Sequence, residues 1–208
     1  MNNRPCDAAG VEIWEHDGKL YEVSSYYCLP DDAWTYELQG MTGPPGTGPH
    51  LNVSVPGETP DEGPFVPRSQ RRVVVSFGPG SIPWLVLCRF RAHVQASGDI
   101  VTKSPPAEVV GDLRWSNNAW RYGDQRYEVN TFHFSDRDAW CYELCVPDPD
   151  PHANNYLDVL VPDVTPNGPF TPATVDRVVL TPHGEVSLSW PMFTHFMTAL
   201  ESSGDIVT

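Results

Sequence analysis

Polar and apolar positions alternate with period two over several short stretches of this chain, the signature of half-buried β-strands. From Leu20 to Tyr26, Tyr21, Val23 and Ser25 share one face and Glu22 takes the other. From Trp34 to Leu38, Trp34, Tyr36 and Leu38 point inward and Glu37 points outward. Leu51, Val53 and Val55 form a third such run, ended by Pro56, and Arg72 to Ser76 is a further β-branched stretch. The series recurs in the second half as Arg126 to Phe132, Trp140 to Leu144, Leu157 with Val159 and Val161, and Arg177 to Thr181. There Glu128 and Glu143 take the outward positions. Asp17-Gly18 and Gly123-Asp124 stand between extended segments, where such dipeptides predict tight hairpins.

The period changes near the end of each half. Pro182 to Glu185 predicts a turn, and Val186 to Trp190 again alternates like a strand. Met192, Phe193, Phe196, Met197 and Leu200 then recur at helical spacing, which predicts a helix from Pro191 to about Ser202. The first half has its counterpart at about Leu85 to Ala96. Gly98 and Gly204 sit where a C-terminal glycine cap is expected, with Ile100 and Ile206 as the following apolar contacts.

These parallels are one internal repeat. Trp14 to Thr102 matches Trp120 to Thr208. Its anchors are Tyr-Glu-Val, Asp-Ala-Trp-x-Tyr-Glu-Leu, Gly-Pro-Phe and Ser-Gly-Asp-Ile-Val-Thr. The period is too long for a solenoid and fits a duplicated domain. The expected fold is α+β: a tandem duplicate of a module in which an antiparallel meander of about five strands packs on one C-terminal helix. The expected organisation is a first module at 1–102, a proline-containing linker at 103–118 and a second module at 119–208.

Composition adds two constraints. Twenty-two prolines and 16 glycines imply many turns and favour strands over helices. The net charge is −14, divided as −4 over residues 1–106 and −10 over 107–208. That field repels nucleic acid and anionic membrane and attracts basic partners. Because the charge is uneven while the pattern is shared, a partner on the second half is favoured.

The repeat also filters the candidate chemistry. None of the cysteines Cys6, Cys28, Cys88, Cys141 and Cys145 has a cysteine at its equivalent position, so free thiols in a reducing compartment are expected. Cys141 and Cys145 are not at metal-knuckle spacing, and no second pair completes a zinc site. No histidine is shared between the halves, which excludes a duplicated histidine base or ligand. A site in one half only, around Cys141, Glu143 and His133, has no visible nucleophile–base–orienter arrangement. No phosphate-binding or dinucleotide-binding glycine motif and no nucleophile elbow occurs. Accordingly no catalytic residue, cofactor or metal is assigned.

What remains is carboxylates. Glu22 with Glu37, and Glu128 with Glu143, occupy the uncovered sheet face on neighbouring strands, where they can meet an Arg or Lys of a partner. Between Pro147 and Asp158 the second half adds Asp148, Asp150 and Asp158 where the first half has an uncharged loop. That loop lacks the spacing of an EF-hand. Asp32 and Asp138 are expected to shape turns. Trp34, Trp140, Phe65 and Phe170 are expected in the core.

The leading expectation is therefore a non-catalytic acidic binding protein that masks a basic partner surface, as an immunity protein or an inhibitor of a toxin or enzyme does. The alternative is a small-molecule or peptide binder, or an enzyme, with its site in the cleft between modules. With no apolar leader or membrane-length run, a cytoplasmic location is expected. Two lysines against eleven arginines suggest a bacterial, GC-rich coding sequence.

Overall fold

The computed structural model describes residues 10–44, 48–57, 65–100, 118–147, 155–165 and 168–207. The expected linker at 103–118 lies outside them, apart from Asn118, as do Cys6, Asp148 and Asp150. Among the described residues the first half carries β1 (Gly10–His16), β2 (Lys19–Cys28), β3 (Ala33–Gly40), β4 (His50–Pro56), β5 (Val74–Phe77), the short β6 (Ile82–Pro83) and α1 (Trp84–Ala96). The second half carries β7 (Asn118–Tyr122), β8 (Gln125–Phe134), β9 (Ala139–Cys145), β10 (Tyr156–Pro162), β11 (Val179–His183), β12 (Val186–Ser189) and α2 (Trp190–Glu201). Among the described residues the fold is α+β, with two antiparallel six-stranded sheets and two α-helices. No helix among the described residues is long and apolar enough to cross a membrane.

Local chemistry explains most elements. At the β1–β2 hairpin Asp17 and Gly18 both have positive φ (49° and 69°), as a type I′ turn demands. Asp32 and Asp138 enter β3 and β9 from the left-handed region, φ 45° and 47°, which Asp tolerates better than most residues. Both helices end on left-handed glycines, Gly98 and Gly204, with Ile100 and Ile206 packed against the core as a cap requires.

Several boundaries differ from the sequence reading. Gln70–Arg72 and Val175–Arg177 are 3₁₀ turns rather than the starts of strands. His183, expected in a turn, closes β11. Phe65, Phe170 and Trp140 are half-buried at the rim of the core instead of enclosed, while Trp34 is buried.

The sheets are ordered β1-β2-β3-β4-β5-β12 and β6-β11-β10-β9-β8-β7. Each therefore takes its last strand from the other half of the chain. Val186 to Ser189 pair with Phe77 to Val74, and Ile82 and Pro83 pair with Leu180 and Val179. The exchange is reciprocal at the helix starts. Trp84 N donates to Val178 O and Trp190 N to Val73 O, each at 2.9 Å. Side chains follow suit: Ser76 and Ser187 hydroxyls meet at 3.0 Å, Ser81 and Thr181 at 2.7 Å, and Phe77 packs edge-on to Phe193. Arg91 of α1 pairs with Glu201 of α2 at 2.7 Å. The buried apolar residues of both halves accordingly form one continuous cluster.

Each helix also reaches the sheet of its own half. His93 lies edge-on to Trp14 and Tyr36, and Arg89 stacks 4.0 Å over Trp14. His195 and Phe196 flank Trp120 in the same way. The repeated Ser-Gly-Asp acts as a latch at the helix end. Ser97 and Ser203 hydroxyls accept from the amides of Asp99 and Asp205, and those carboxylates accept from the hydroxyls of Tyr36 and Tyr142. Two repeat anchors that are far apart in sequence are thereby one contact.

Candidate functional site

Strand alternation gives each sheet one face for the core and one facing outward. On the first sheet the outward residues include Glu22, Ser24 and Tyr26 on β2, Glu37 on β3, His50 and Asn52 on β4, and Ser76 on β5. Glu37 is the hub of this face. Its Oε1 accepts from Tyr26 Oη at 2.7 Å and from Asn52 Nδ2 at 3.4 Å, and His50 Nε2 lies 3.8 Å away. Burial first, and then the hydrogen bond to Glu37, push the Tyr26 hydroxyl up to about 12. Glu22 is one step out of register on the same face, because Glu37 pairs with Ser24.

The second sheet presents Glu128 and Asn130 on β8, Cys141, Glu143 and Cys145 on β9, Tyr156 and Asp158 on β10, and Thr181 and His183 on β11. Asp158 belongs to β10 and not to the acidic loop before it. It stands directly across from Glu143. Glu143 Oε1 accepts from Asn130 Nδ2 at 2.7 Å and from Cys145 Sγ at 3.2 Å. Asp158 accepts from Cys141 Sγ at 3.6 Å and faces His183 Nε2 at 3.1 Å. His183 in turn stacks on Tyr156, with ring centroids 4.3 Å apart. Glu128 is more exposed and lies 3.6 Å from Arg126.

The equivalent of Asp158 in the first sheet is Asn52. One acidic substitution thus converts a Glu–Asn pair into two carboxylates facing each other across neighbouring strands. Like charges so placed repel. The Asp158 carboxyl is raised above its usual value, first by burial; His183 acts in the opposite direction and Glu143 adds to the rise. A guanidinium or ammonium arriving from outside would relieve that repulsion. The thiols are unsuited to nucleophilic work. Burial and the nearby Asp158 raise Cys141, and burial with the hydrogen bond to Glu143 pushes Cys145 up to about 12. A thiol that high stays protonated near neutrality.

Of the residues singled out in the sequence, Glu22 and Glu37 share one face, and Glu128, Glu143 and Asp158 share the other. Asp148 and Asp150 fall outside the described residues. Cys141 and Glu143 do not meet His133, which pairs with Trp140 and so projects from the opposite side of the sheet. The sequence reading passed over Asn52, His50, Asn130 and His183. Shared identity between the halves could not reveal them, because the two faces use different partners around one glutamate. The alternation His50-Leu51-Asn52-Val53 did carry the signal for two of them.

The halves meet through exchanged strands, a shared apolar cluster, two hydroxyl pairs and the Arg91–Glu201 ion pair. Among the described residues a pocket of about 120 Å³ lies between β1 and α1, lined by Trp14, Glu15, His16, Leu85, Val86 and Arg89. It is small beside the roughly 300–1,000 Å³ of typical small-molecule sites. No family model, curated protein or solved structure gives a significant match to this chain.

Proposed function

We propose that this chain is a non-catalytic binding protein whose acidic sheet faces mask a basic surface of a protein partner, in the manner of an immunity or inhibitor protein. One observation carries the reading. The halves meet through exchanged strands and a shared apolar cluster, while the outward faces keep carboxylates on their central strands. The second face, with Glu128, Glu143 and Asp158, is the principal contact, supported by the first through Glu22 and Glu37. The unequal charge of the halves supports the same assignment. Masking requires charge complementarity and a shaped face, and pairs of this kind associate fast at low salt. The same reading takes the halves to be copies of one module, each helix covering the meander of its own copy, with Asp148 and Asp150 extending the contact. The site of action is the cytoplasm of a bacterial cell.

The test is capture from lysate of the native host by the immobilised chain, beside the charge-reversed variant Glu22→Lys/Glu128→Lys, at about 50 mM and about 500 mM salt. The reading expects a basic protein that is retained by the wild type at low salt and lost on either change. A captured protein that is indifferent to both salt and charge reversal would sink it.

A further inference from the structure

The rim of the second sheet holds three side chains whose ligand-type atoms lie within 4.8 Å of one another: His133, Asp138 and Asp163. They come from three neighbouring strand ends: β8, the turn before β9, and the exit from β10. A backbone hydrogen bond ties two of these strand ends together. Asp163 N donates to Asp138 O at 2.8 Å, and Asp138 holds its left-handed turn. Asp163 Oδ1 accepts from the amides of Thr165 and Thr171 at 2.9 and 3.0 Å, which fixes that carboxylate in place. Trp140 stands beside the His133 ring, and Phe170 beside Trp140, forming an apolar wall on one side.

The first half carries the same backbone frame with different side chains. Gly57 N donates to Asp32 O at 2.7 Å, the counterpart of the Asp163–Asp138 bond, and Asp32 has the same left-handed turn. There the position of His133 is held by Tyr27, whose hydroxyl donates to Asp32, and that of Asp163 by Gly57. Tyr27, Trp34 and Phe65 form the same aromatic group. The turn aspartate therefore belongs to the fold. Both departures of the second half, Tyr to His and Gly to Asp, add a metal-ligating group at the same point.

We propose that His133, Asp138 and Asp163 bind one divalent transition-metal ion of the Zn²⁺ class. The separation of His133 Nε2 and Asp138 Oδ1 is 3.4 Å. That is long for a charge-assisted hydrogen bond, which prefers about 2.7–2.9 Å. It matches two ligands of one tetrahedral ion, which stand about 3.3–3.6 Å apart when metal–ligand bonds are about 2.0–2.2 Å. One imidazole with two carboxylates suits Zn²⁺ better than a cation that takes oxygen alone. Three protein ligands leave a further position for water or for a group of a bound partner. The site is independent of the acidic outer face, because His133 projects from the other side of the sheet.

The experiment is titration of the full chain with ZnCl₂ by calorimetry, beside His133→Tyr and Asp163→Gly. Each variant installs the residue that the first half tolerates at that position, and circular dichroism checks its fold. The wild type is expected to bind one ion, with affinity reduced at least about 10-fold in either variant. Co²⁺ is expected to give a visible d–d spectrum without a thiolate charge-transfer band. No binding by the wild type, affinity unchanged in both folded variants, or a thiolate band that places the ion at a cysteine would each overturn the proposal.

Discussion

The reciprocal exchange of strands makes an unusual demand on mutational effects. Leu188 belongs to the second half, yet its side chain is buried in the first sheet, opposite Val75, with 3% exposure against 0% for Val75. Truncation of a buried leucine to alanine costs about 2–5 kcal/mol through lost transfer energy and the cavity left behind. On a short terminal strand that can partly relax, about 3 kcal/mol is reasonable. For a chain of 208 residues each kcal/mol moves the melting temperature by about 2–4 °C, so Leu188→Ala should lower it by roughly 6–12 °C. The informative assay is native-state hydrogen exchange. Amides of β4 and β5, such as those of Val53 and Val75, should lose protection although the substitution lies in the other half of the sequence. Ile82→Ala should act reciprocally on Leu180 and its neighbours in β10 and β11, because Ile82 is fully buried and pairs with Leu180. If Leu188→Ala left β3–β5 protection intact and loosened only β7–β11, each half would be folding on its own strands, and the exchange would be refuted.

Further outcomes follow from the same contacts. Tyr142→Phe removes the hydroxyl that donates to Asp205 and should cost about 1.5 kcal/mol, the usual scale of a hydrogen bond to a charged group. A denaturant midpoint unchanged by this variant would remove the latch role from the Ser-Gly-Asp repeat. Asp158 has a folded-state proton affinity above its unfolded one, because of burial and Glu143. Its contribution to stability is therefore present below the unfolded pKa and lost as pH rises through the folded one. Asp158→Asn should consequently gain stability relative to the wild type near about pH 7 and lose that advantage near about pH 3. Equal shifts in the urea midpoint at both pH values would contradict this account of the acidic pair.

Much of the fold was legible from short-range pattern. Alternation assigned Tyr21, Val23, Tyr36 and Leu38 to the core, where they are at most 2% exposed. Helical spacing placed Met192, Phe193, Phe196, Met197 and Leu200 in the core, each at 0%. Gly98 and Gly204 marked the helix ends because only glycine takes that conformation at little cost. The outward carboxylates Glu37 and Glu143 could be read because the period is two. Their partners were harder to see, since cross-strand neighbours depend on register and register on the paired strand. Asp158 was grouped with the loop before it, although its position between Leu157 and Val159 already gave it an outward place on a strand. His133, Asp138 and Asp163 were not seen as a set, because they meet only where three strand ends lie side by side.

By itself, the sequence determined where most strands and both helices lie, which face most of their residues take, and that one pattern recurs in both halves of the chain. These follow from interactions between near neighbours and from the burial of apolar surface, which a linear pattern encodes directly. Only the tertiary structure decided which sheet each last strand joins. Val186 to Ser189 alternate identically whether they close the first sheet or the second, since alternation specifies a buried face and not the strand alongside. With two sheets built alike, the choice rests on the connections and on how Trp84, Trp190, Phe77 and Phe193 fill the space between the halves. The same long-range packing joins the apolar residues of both halves into one cluster and brings one histidine and two aspartates close together at the rim.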